Sequence, residues 1–90
     1  MLARELGKAA KRFLKKVPPK HFGQLDRKIE TLRENPLPPD SNPLKGYDFR
    51  RADIGEYRIV YKVIGDTLYV PLIGKRNDNE VYKRLKRLEG

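Results

Sequence analysis

Residues 57–73, with the sequence YRIVYKVIGDTLYVPLI, predict a β-hairpin. Both halves are rich in the β-branched and aromatic residues that favour strands. Gly65-Asp66 between them is a two-residue turn signal in which glycine comes first. We therefore expect strands over Tyr57–Ile64 and Thr67–Ile73. Pro71 predicts an edge position or a bulge in the second strand, because proline cannot donate to a sheet ladder.

Two helices are predicted upstream of the hairpin. Apolar residues recur at helical spacing over Lys8–Lys16, and Pro18-Pro19 stops this first helix. The second helix ends at Asn35-Pro36. Its single apolar stripe consists of Phe22, Leu25, Ile29 and Leu32. The two helices together predict an N-terminal helical hairpin.

The remaining segments complete the predicted order of elements. Leu2–Leu6 is a short candidate first strand, and Tyr47–Asp53 is a candidate strand before a turn at Ile54-Gly55-Glu56. Residues 35–43 hold four of the seven prolines and are interpreted as an ordered loop. A last helix is predicted from a cap and an apolar stripe, namely Asp78 or Asn79 followed by Val81, Leu85 and Leu88.

The predicted order β-α-α-β-β-β-α is typical of the α+β class. We expect residues 1–90 to form a single domain, in which a small, mostly antiparallel β-sheet carries an N-terminal helical hairpin and a C-terminal helix. All helices are expected on one face of the sheet. Alternate residues of Tyr57–Ile64 share a face, so the apolar set that begins at Tyr57 should contact the helices. Arg58 and Lys62 should then point to the open face.

The charge of the chain favours a polyanionic partner. The 90 residues include 21 Lys and Arg against 12 Asp and Glu, a formal net charge of +9. A basic folded domain of this kind most often binds nucleic acid. The absence of cysteine excludes disulfides, thiolate metal sites and a cysteine nucleophile, and the single histidine argues against a histidine-rich metal site. The sequence shows no secretory signal or long apolar run, so we expect a cytoplasmic protein with no membrane or metal partner.

Few side chains offer acid–base chemistry. His21 is interpreted as a structural or solvated residue at a helix start, and Asp53 and Glu56 as turn residues. Gly74 fits a strand end or a turn. The remaining polar residues are Arg, Lys and Tyr, which suit a phosphate whose charge grows in a transition state. A charged sheet face that only keeps the domain soluble is the alternative interpretation.

Leu44–Arg87 resembles a known family through three motifs. The stretch reads LKGYDFRRADIGEYRIVYKVIGDTLYVPLIGKRNDNEVYKRLKR. It combines Leu-Lys-Gly before the sheet, a Gly-x-Tyr-Arg-hydrophobic-hydrophobic-Tyr strand and a closing GKR…EVY. The opening at Ala9–His21 and the connection at Asn35–Gly46 are also similar. On these features the chain resembles the RelE family of the RelE/ParE toxin superfamily.

The resemblance implies the toxin of a toxin–antitoxin pair. RelE-like toxins enter the A site of the small ribosomal subunit and cut the mRNA there, with no metal and no other cofactor. The ribose 2′-hydroxyl attacks the adjacent phosphate and leaves a cyclic phosphate and a free 5′-hydroxyl. The implied partners are mRNA, the small ribosomal subunit and an acidic, RelB-like antitoxin.

The resemblance also assigns roles to three residues. Arg58 matches the arginine that stabilises the transition-state phosphate. Arg76 matches the arginine that protonates or stabilises the leaving 5′-oxygen. Tyr82 matches the tyrosine that positions the substrate or stacks on it, with simple packing as the alternative.

The strand before the Tyr-Arg strand departs from the family pattern. Phe49-Arg50-Arg51 stands where the best-known members carry Lys-x-Lys. Arg51 takes the place of the second lysine without a gap and joins the expected catalytic residues, whereas Arg50 takes it after a one-residue slip. Arginine binds phosphate but is a poor proton acceptor. The general base is therefore open between Lys45, Tyr57 and ribosomal RNA.

Further basic residues are expected to bind polyanions. The expected RNA and phosphate ligands are Arg50, Lys45, Lys62 and Lys75. The residues expected to dock on the ribosome are Lys8, Lys11, Lys15, Lys83, Arg84, Lys86 and Arg87. Two other functions stay open, a ParE-like toxin that poisons DNA gyrase and a non-catalytic RNA-binding or ribosome-associated domain.

Overall fold

The computed structural model describes residues 1–77 and 80–89, and within them it forms three helices and five strands. In chain order the elements are β1 (Ala3–Leu6), α1 (Lys8–Lys16), α2 (Pro19–Glu34), β2 (Ser41–Pro43), β3 (Arg50–Ile54), β4 (Tyr57–Ile64), β5 (Thr67–Lys75) and α3 (Glu80–Glu89). The predicted cap of the last helix, at Asp78 or Asn79, lies outside the described residues. None of the described helices has the length and apolar content needed to cross a bilayer.

The strands form one mixed sheet in the order β1-β5-β4-β3-β2. β1 runs parallel to β5, and the other neighbours are antiparallel, which confirms the predicted α+β class with a mostly antiparallel sheet. Some strand bounds differ from the prediction: β3 begins at Arg50 rather than at Tyr47 and ends at Ile54 rather than at Asp53, and β5 continues to Lys75 rather than ending at Ile73. The end of the proline-rich loop also adds β2, an edge strand that was not predicted. An edge strand tolerates the proline at residue 43 because only one of its sides joins the ladder.

Pro71 lies at a β-bulge, one of the two alternatives predicted for it. Val60 pairs with Leu72, and Lys62 pairs with Tyr69, so β5 has one more residue than β4 between these pairs. β5 is a central strand, which excludes the edge position. The extra residue shifts the alternation of β5, because each strand residue normally faces opposite to its neighbour.

Helices cover both faces of the sheet. The first, the α1/α2 face, has a core of Ala10, Leu14, Leu25, Ile29, Leu32, Ala52, Tyr57, Ile59, Tyr61, Leu68, Val70 and Ile73. The second, the α3 face, has a core of Leu44, Phe49, Val60, Leu72, Val81 and Leu85. The apolar stripe predicted for α2 is buried except at Phe22, which is 43% exposed.

The expectation that all helices lie on one face is wrong for α3. Val60 and Leu72 bring apolar side chains to the face that was predicted to be open, and Val81 and Leu85 of α3 cover them. Covering this apolar surface is favourable because it is removed from water. Arg58 therefore lies beside a helix rather than on an open surface.

Candidate functional site

Arg58 lies near the start of β4 and faces α3. Its partners in the sheet are Asp53 on β3 and Gly74 on β5. Its side chain is only 11% exposed, which is low for an arginine. A guanidinium that is largely removed from water requires partners for its charge and its N–H groups.

Asp53 supplies that partner. Nε of Arg58 donates to Oδ1 of Asp53 at 2.8 Å, and Nη2 donates to Oδ2 at 3.3 Å. These hydrogen bonds are the main reason why the pKa of Asp53 lies below its usual value, and the charges of Arg51 and Arg76 lower it further. The hydrogen bond to Asp53 likewise raises the pKa of Arg58.

Tyr82 brings α3 into the same site. Nη1 of Arg58 donates a hydrogen bond to the Tyr82 hydroxyl, and the centre of the tyrosine ring is 5.9 Å from Cζ of Arg58. The ring also packs against the apolar core of the α3 face. The sequence left Tyr82 open between positioning the substrate and simple packing; the ring does pack, and its contact with Arg58 was not predicted.

Gly74 permits the close approach of α3 to β5. A Cβ atom at residue 74 would lie 2.3 Å from Cγ2 of Val81, far inside van der Waals contact. Gly74 lies near the end of β5, as predicted, directly opposite Arg58, and nothing in the sequence indicated its contact with α3. The glycine lets Val81 sit on the backbone, and Tyr82 is the next residue of the helix.

Arg51 belongs to the same face as Arg58. It pairs with Val60 in the β3–β4 ladder, and its Nη1 lies 3.8 Å from Oδ2 of Asp53. Arg51 and Asp53 are two residues apart on one strand, so both side chains leave the same side of β3. The alignment without a gap, in which Arg51 takes the place of the family's second lysine, therefore places an arginine on the same face as Arg58 and Asp53.

Arg50 lies on the opposite side of the strand. It pairs with Tyr61, whose side chain belongs to the α1/α2 core. Nη2 of Arg50 donates to Oγ of Ser41 at 3.0 Å and to its backbone oxygen at 3.3 Å. These bonds tie the edge strand β2 to β3, and the structure does not bring Arg50 together with Arg58.

Arg76 follows directly after β5. Its backbone N–H donates to the oxygen of Glu56 at 2.9 Å, which extends the β4–β5 ladder beyond Lys75. The side chain is exposed, and it is close enough for its charge to lower the pKa of Asp53. The charges of three arginines from three chain segments thus act on one carboxylate. We call Arg51, Asp53, Arg58, Arg76 and Tyr82 the arginine cluster.

Asp53 is the member of the arginine cluster that the sequence interpretation missed. It is interpreted above only as a residue that flanks a turn, whereas its carboxylate, on the fourth residue of β3, accepts hydrogen bonds from Arg58. The signal that could have found it is the alternation of Arg51 and Asp53 on the strand antiparallel to Arg58. That signal needs the register of two strands, which the sequence pattern alone does not provide.

The other expected phosphate ligands lie around this cluster in different settings. Lys62 shares the α3 face, with its Nζ 4.7 Å from the centre of the Phe49 ring and 3.8 Å from Oδ2 of Asp48. Lys45 is exposed in the turn before Phe49, and Lys75 is exposed at the end of β5. Lys75 pairs with a residue of the α1/α2 face and so leaves the sheet on the other side from Arg58.

The residues expected to dock on the ribosome are all exposed on two helices. On α1 they are Lys8, Lys11 and Lys15, and on α3 they are Lys83, Arg84, Lys86 and Arg87. A groove of about 600 Å³ runs between the two helices, with Arg12, Lys16, Lys75 and Arg84 among its lining residues. Arg12 and Lys16 of this groove were not singled out in the sequence, although they stand one helical turn apart on α1.

Tyr57 and His21 form a separate contact on the α1/α2 face. The Tyr57 hydroxyl lies 2.6 Å from Nδ1 of His21, and Tyr57 is only 5% exposed. This agrees with the structural interpretation of His21. Because Tyr57 faces away from Arg58, it is poorly placed as a general base beside that residue. Among the described residues, no three His, Asp or Glu side chains are grouped as metal ligands would be.

Comparison with known proteins places the chain in a toxin family. Residues 3–80 match the family described as ParE toxin of type II toxin-antitoxin system, parDE. A curated Methanocaldococcus jannaschii protein named "Putative toxin RelE1" is 38% identical over 66 residues, 69% of this chain and 73% of that protein. The two findings carry different names from one superfamily.

Solved structures agree with the fold. A mutant of the Escherichia coli toxin RelE in the free state has a TM-score of 0.79 at 27% identity and covers 96% of both chains. The toxin in the intact E. coli RelBE toxin–antitoxin complex has a TM-score of 0.73 at 25% identity, over 83% of this chain and 96% of that chain. Since the family match spans most of the chain and the curated relative and these structures are RelE proteins, the chain belongs to the RelE/ParE family of type II toxin–antitoxin systems as a RelE-type toxin.

Proposed function

We propose that this toxin is a ribosome-dependent endoribonuclease that cuts mRNA in the ribosomal A site. The observation that supports the proposal is the arginine cluster, in which Arg58 and Arg51 pair with Asp53, the charge of Arg76 acts on the same carboxylate, and Tyr82 contacts Arg58. Arginine side chains bind phosphate oxygens through paired N–H groups, so a cluster of three suits a reacting phosphodiester. The proposed roles are those that the RelE resemblance assigns to the same residues.

The proposed reaction needs only groups of the RNA and proton transfers. The ribose 2′-oxygen forms a bond to the adjacent phosphorus while the bond from phosphorus to the 5′-oxygen breaks. The proton of the 2′-hydroxyl goes to a base, and the 5′-oxygen receives a proton. The products are a 2′,3′-cyclic phosphate and a 5′-hydroxyl. Negative charge grows on the non-bridging oxygens in the transition state, and donors held in place for that charge lower the barrier.

Each residue of the cluster has a place in this scheme. Arg58, held by Asp53, donates to the non-bridging oxygens, and Arg51 binds the same or the neighbouring phosphate. Arg76, exposed at the edge of the site, stabilises or protonates the leaving 5′-oxygen. Tyr82 stacks on a base or orients the nucleotide. With Tyr57 on the other face, Lys45 and ribosomal RNA remain the candidates for the general base.

The proposed partners follow from charge and from the relatives. The chain carries a formal net charge of +9, and the exposed basic residues of α1 and α3 would contact ribosomal RNA in the cytoplasm. Docking through several phosphates should weaken steeply as salt rises. A RelE relative is found in complex with RelB, so we propose an acidic, RelB-like antitoxin that holds residues 1–90, acting as one domain, inactive.

Cell-free translation tests the proposal. The purified protein is added to a translating extract, and mRNA 5′ ends are mapped by primer extension. We expect new ends within translated codons, which Arg58→Ala and Arg76→Ala abolish. Arg27→Ala removes an exposed arginine from α2 and is the matched control that should leave the ends unchanged. Intact mRNA in the presence of the folded wild-type protein would overturn the proposal.

Gyrase poisoning is the second candidate, because the matching family is described as ParE. A supercoiling assay with purified gyrase separates the two functions. Inhibition of supercoiling without new mRNA ends would favour the ParE-like activity. Intact mRNA, unaffected gyrase and retained RNA binding would instead indicate a non-catalytic RNA-binding domain.

A further inference from the structure

One edge of the Arg58 guanidinium is occupied by a carboxylate of the same chain. A guanidinium carries five N–H donors in a planar fork. Asp53 accepts from Nε and Nη2, and the Tyr82 hydroxyl accepts from Nη1. Three of the five donors are thereby engaged by the residues that the structure describes, which leaves two of them without a partner there. Two N–H groups are what a bidentate contact with phosphate oxygens uses.

We propose that Asp53 is a positioning residue of the phosphate site, which holds Arg58 by one edge and presents its two remaining donors to the reacting phosphate. The inference rests on the proposed function and specifies how its central arginine is oriented. Without its two hydrogen bonds to Asp53, the long side chain of Arg58 would sample several rotamers. The fixed geometry on which transition-state stabilisation depends would then be lost.

The charge of Asp53 has a second consequence. The Asp53 carboxylate pairs with Arg58 of β4 and with Arg51 of its own strand, and the charge of Arg76, after β5, also acts on it. The Tyr82 hydroxyl of α3 binds Arg58 through a different nitrogen, Nη1. A negative charge at this place opposes the binding of any phosphate to the three arginines. Asp53 therefore lowers the affinity for RNA in the ground state while it orients the donor that acts in the transition state.

The role predicts a split between binding and turnover. Asp53→Asn removes the charge and replaces one acceptor oxygen by an NH₂ group, so only one of the two Arg58 donors that Asp53 binds keeps an acceptor. The variant should bind phosphate more tightly and cleave more slowly. A merely structural aspartate would affect folding, and a substrate-binding residue would weaken binding when it is lost.

Phosphate titration tests the predicted increase in phosphate affinity and does not require RNA cleavage. Inorganic phosphate is titrated into the wild type, Asp53→Asn and Asp53→Glu, and the Arg58 Nε–Hε NMR signal is followed. We expect Asp53→Asn to bind phosphate about fivefold more tightly, the size of a partly screened surface charge interaction. Asp53→Glu keeps the charge and should match the wild type. Asp66→Asn makes the same charge change in the turn beyond the other end of β4 and is the matched control.

Cleavage kinetics on translating ribosomes test the predicted decrease in turnover. Asp53→Asn should lower kcat about tenfold and lower KM as well, and Asp53→Glu should regain part of kcat. Phosphate affinity in Asp53→Asn that is equal to or below the wild-type value would overturn the inference. If no variant and no wild-type protein cuts mRNA, the proposed function fails, and the phosphate titration still decides the role of Asp53.

The wild-type protein provides a measurement that does not depend on the folding of a variant. The Nε–Hε proton of Arg58 should exchange with water far more slowly than that of exposed Arg27, because Asp53 accepts from it. Equal exchange rates at the two arginines would show that Asp53 does not hold Arg58 in solution and would overturn the inference.

Discussion

Val81 of α3 rests directly on the backbone of Gly74 in β5, where a Cβ atom would come within 2.3 Å of its Cγ2. This contact sets the distance between the helix and the sheet. Tyr82 follows Val81, and Gly74 pairs with Arg58. The contact between the Tyr82 hydroxyl and Arg58 therefore depends on a glycine that has no chemistry of its own.

Gly74→Ala should separate α3 from the sheet. The added methyl group forces Val81 outward and should destabilise the protein by about 1–3 kcal/mol, the usual cost of overpacking a core. Cleavage should fall further than stability explains, because Tyr82 moves away from Arg58. Urea unfolding and the cleavage rate measure the two effects.

A double variant is the control for this interpretation. Val81→Ala alone removes buried methyl groups and should destabilise the protein by about 1–2 kcal/mol. Combined with Gly74→Ala, it makes room for the new methyl group, so the two losses should not add. Strictly additive losses would show that the steric account of Gly74 is wrong.

Much of the fold could be predicted from local patterns. Alternation, helical spacing and proline predict the hairpin of β4 and β5, the bounds of α1 and the end of α2 just before Asn35. The start of β3 was predicted less accurately because Tyr47 and Phe49, which lie before the strand, are part of the core on the α3 face. The sheet face that α3 covers was predicted wrongly, because the apolar pattern of an amphipathic helix does not show which of the two sheet faces it packs on.

The site could be predicted only in part. The sequence singled out Arg58, Arg76 and Tyr82 through a resemblance, and the structure brings Arg58 and Tyr82 into contact, with the charge of Arg76 acting on the same Asp53. The sequence pattern could not decide whether Arg50 or Arg51 takes the place of the family's second lysine, because a one-residue slip in register exchanges the two faces of a strand. It also could not find the contact of Asp53 with Arg58, which joins residues on two paired strands.

Tyr82→Phe separates the hydroxyl from the ring. The ring still packs on the α3 face, so the loss of stability should be about 1 kcal/mol, the net value of one hydrogen bond. We expect cleavage to fall about tenfold, because Arg58 loses one of its anchors. Tyr82→Leu also removes the aromatic ring and should cost more activity. Equal rates for wild type and Tyr82→Phe would leave the tyrosine with packing alone.

Arg51 and Arg50 provide a matched pair of neighbouring arginines. Arg51→Ala removes a charge from the arginine cluster and should reduce cleavage at least tenfold with little change in stability. Arg50→Ala removes the bonds to Ser41 and should lower stability while most of the activity remains. Cleavage rates and urea midpoints of the two variants decide the matter. The reverse pattern would mean that β3 pairs in the other register.

The pKa of Asp53 predicts a pH dependence of stability. Its pKa is lower in the folded protein, chiefly because of the hydrogen bonds from Arg58, so its ionised form stabilises the fold above the ordinary aspartate pKa of about 3.9. This stabilisation is lost as the pH falls through the lower folded value. The side chain is a third exposed, so we expect about 1 kcal/mol or less between wild type and Asp53→Asn at pH 7.

Urea unfolding of both proteins over a pH series measures this difference. It should be constant from pH 7 to about pH 5 and should shrink as the pH falls below the ordinary aspartate pKa. Other carboxylates, such as Asp40, titrate in both proteins and cancel in the comparison. A difference that is independent of pH would show that the charge of Asp53 does not stabilise the fold.

The most direct test of the account is a single-turnover cleavage on purified ribosomes that carry a defined mRNA, with wild type compared to Arg58→Lys. Arg58→Lys keeps the positive charge but loses the paired N–H groups that bind Asp53 and phosphate. The account predicts a product with a 2′,3′-cyclic phosphate and a 5′-hydroxyl, formed at least a hundredfold more slowly by Arg58→Lys. Equal rates for the two proteins, or an uncut mRNA with folded wild type bound to the ribosome, would contradict it.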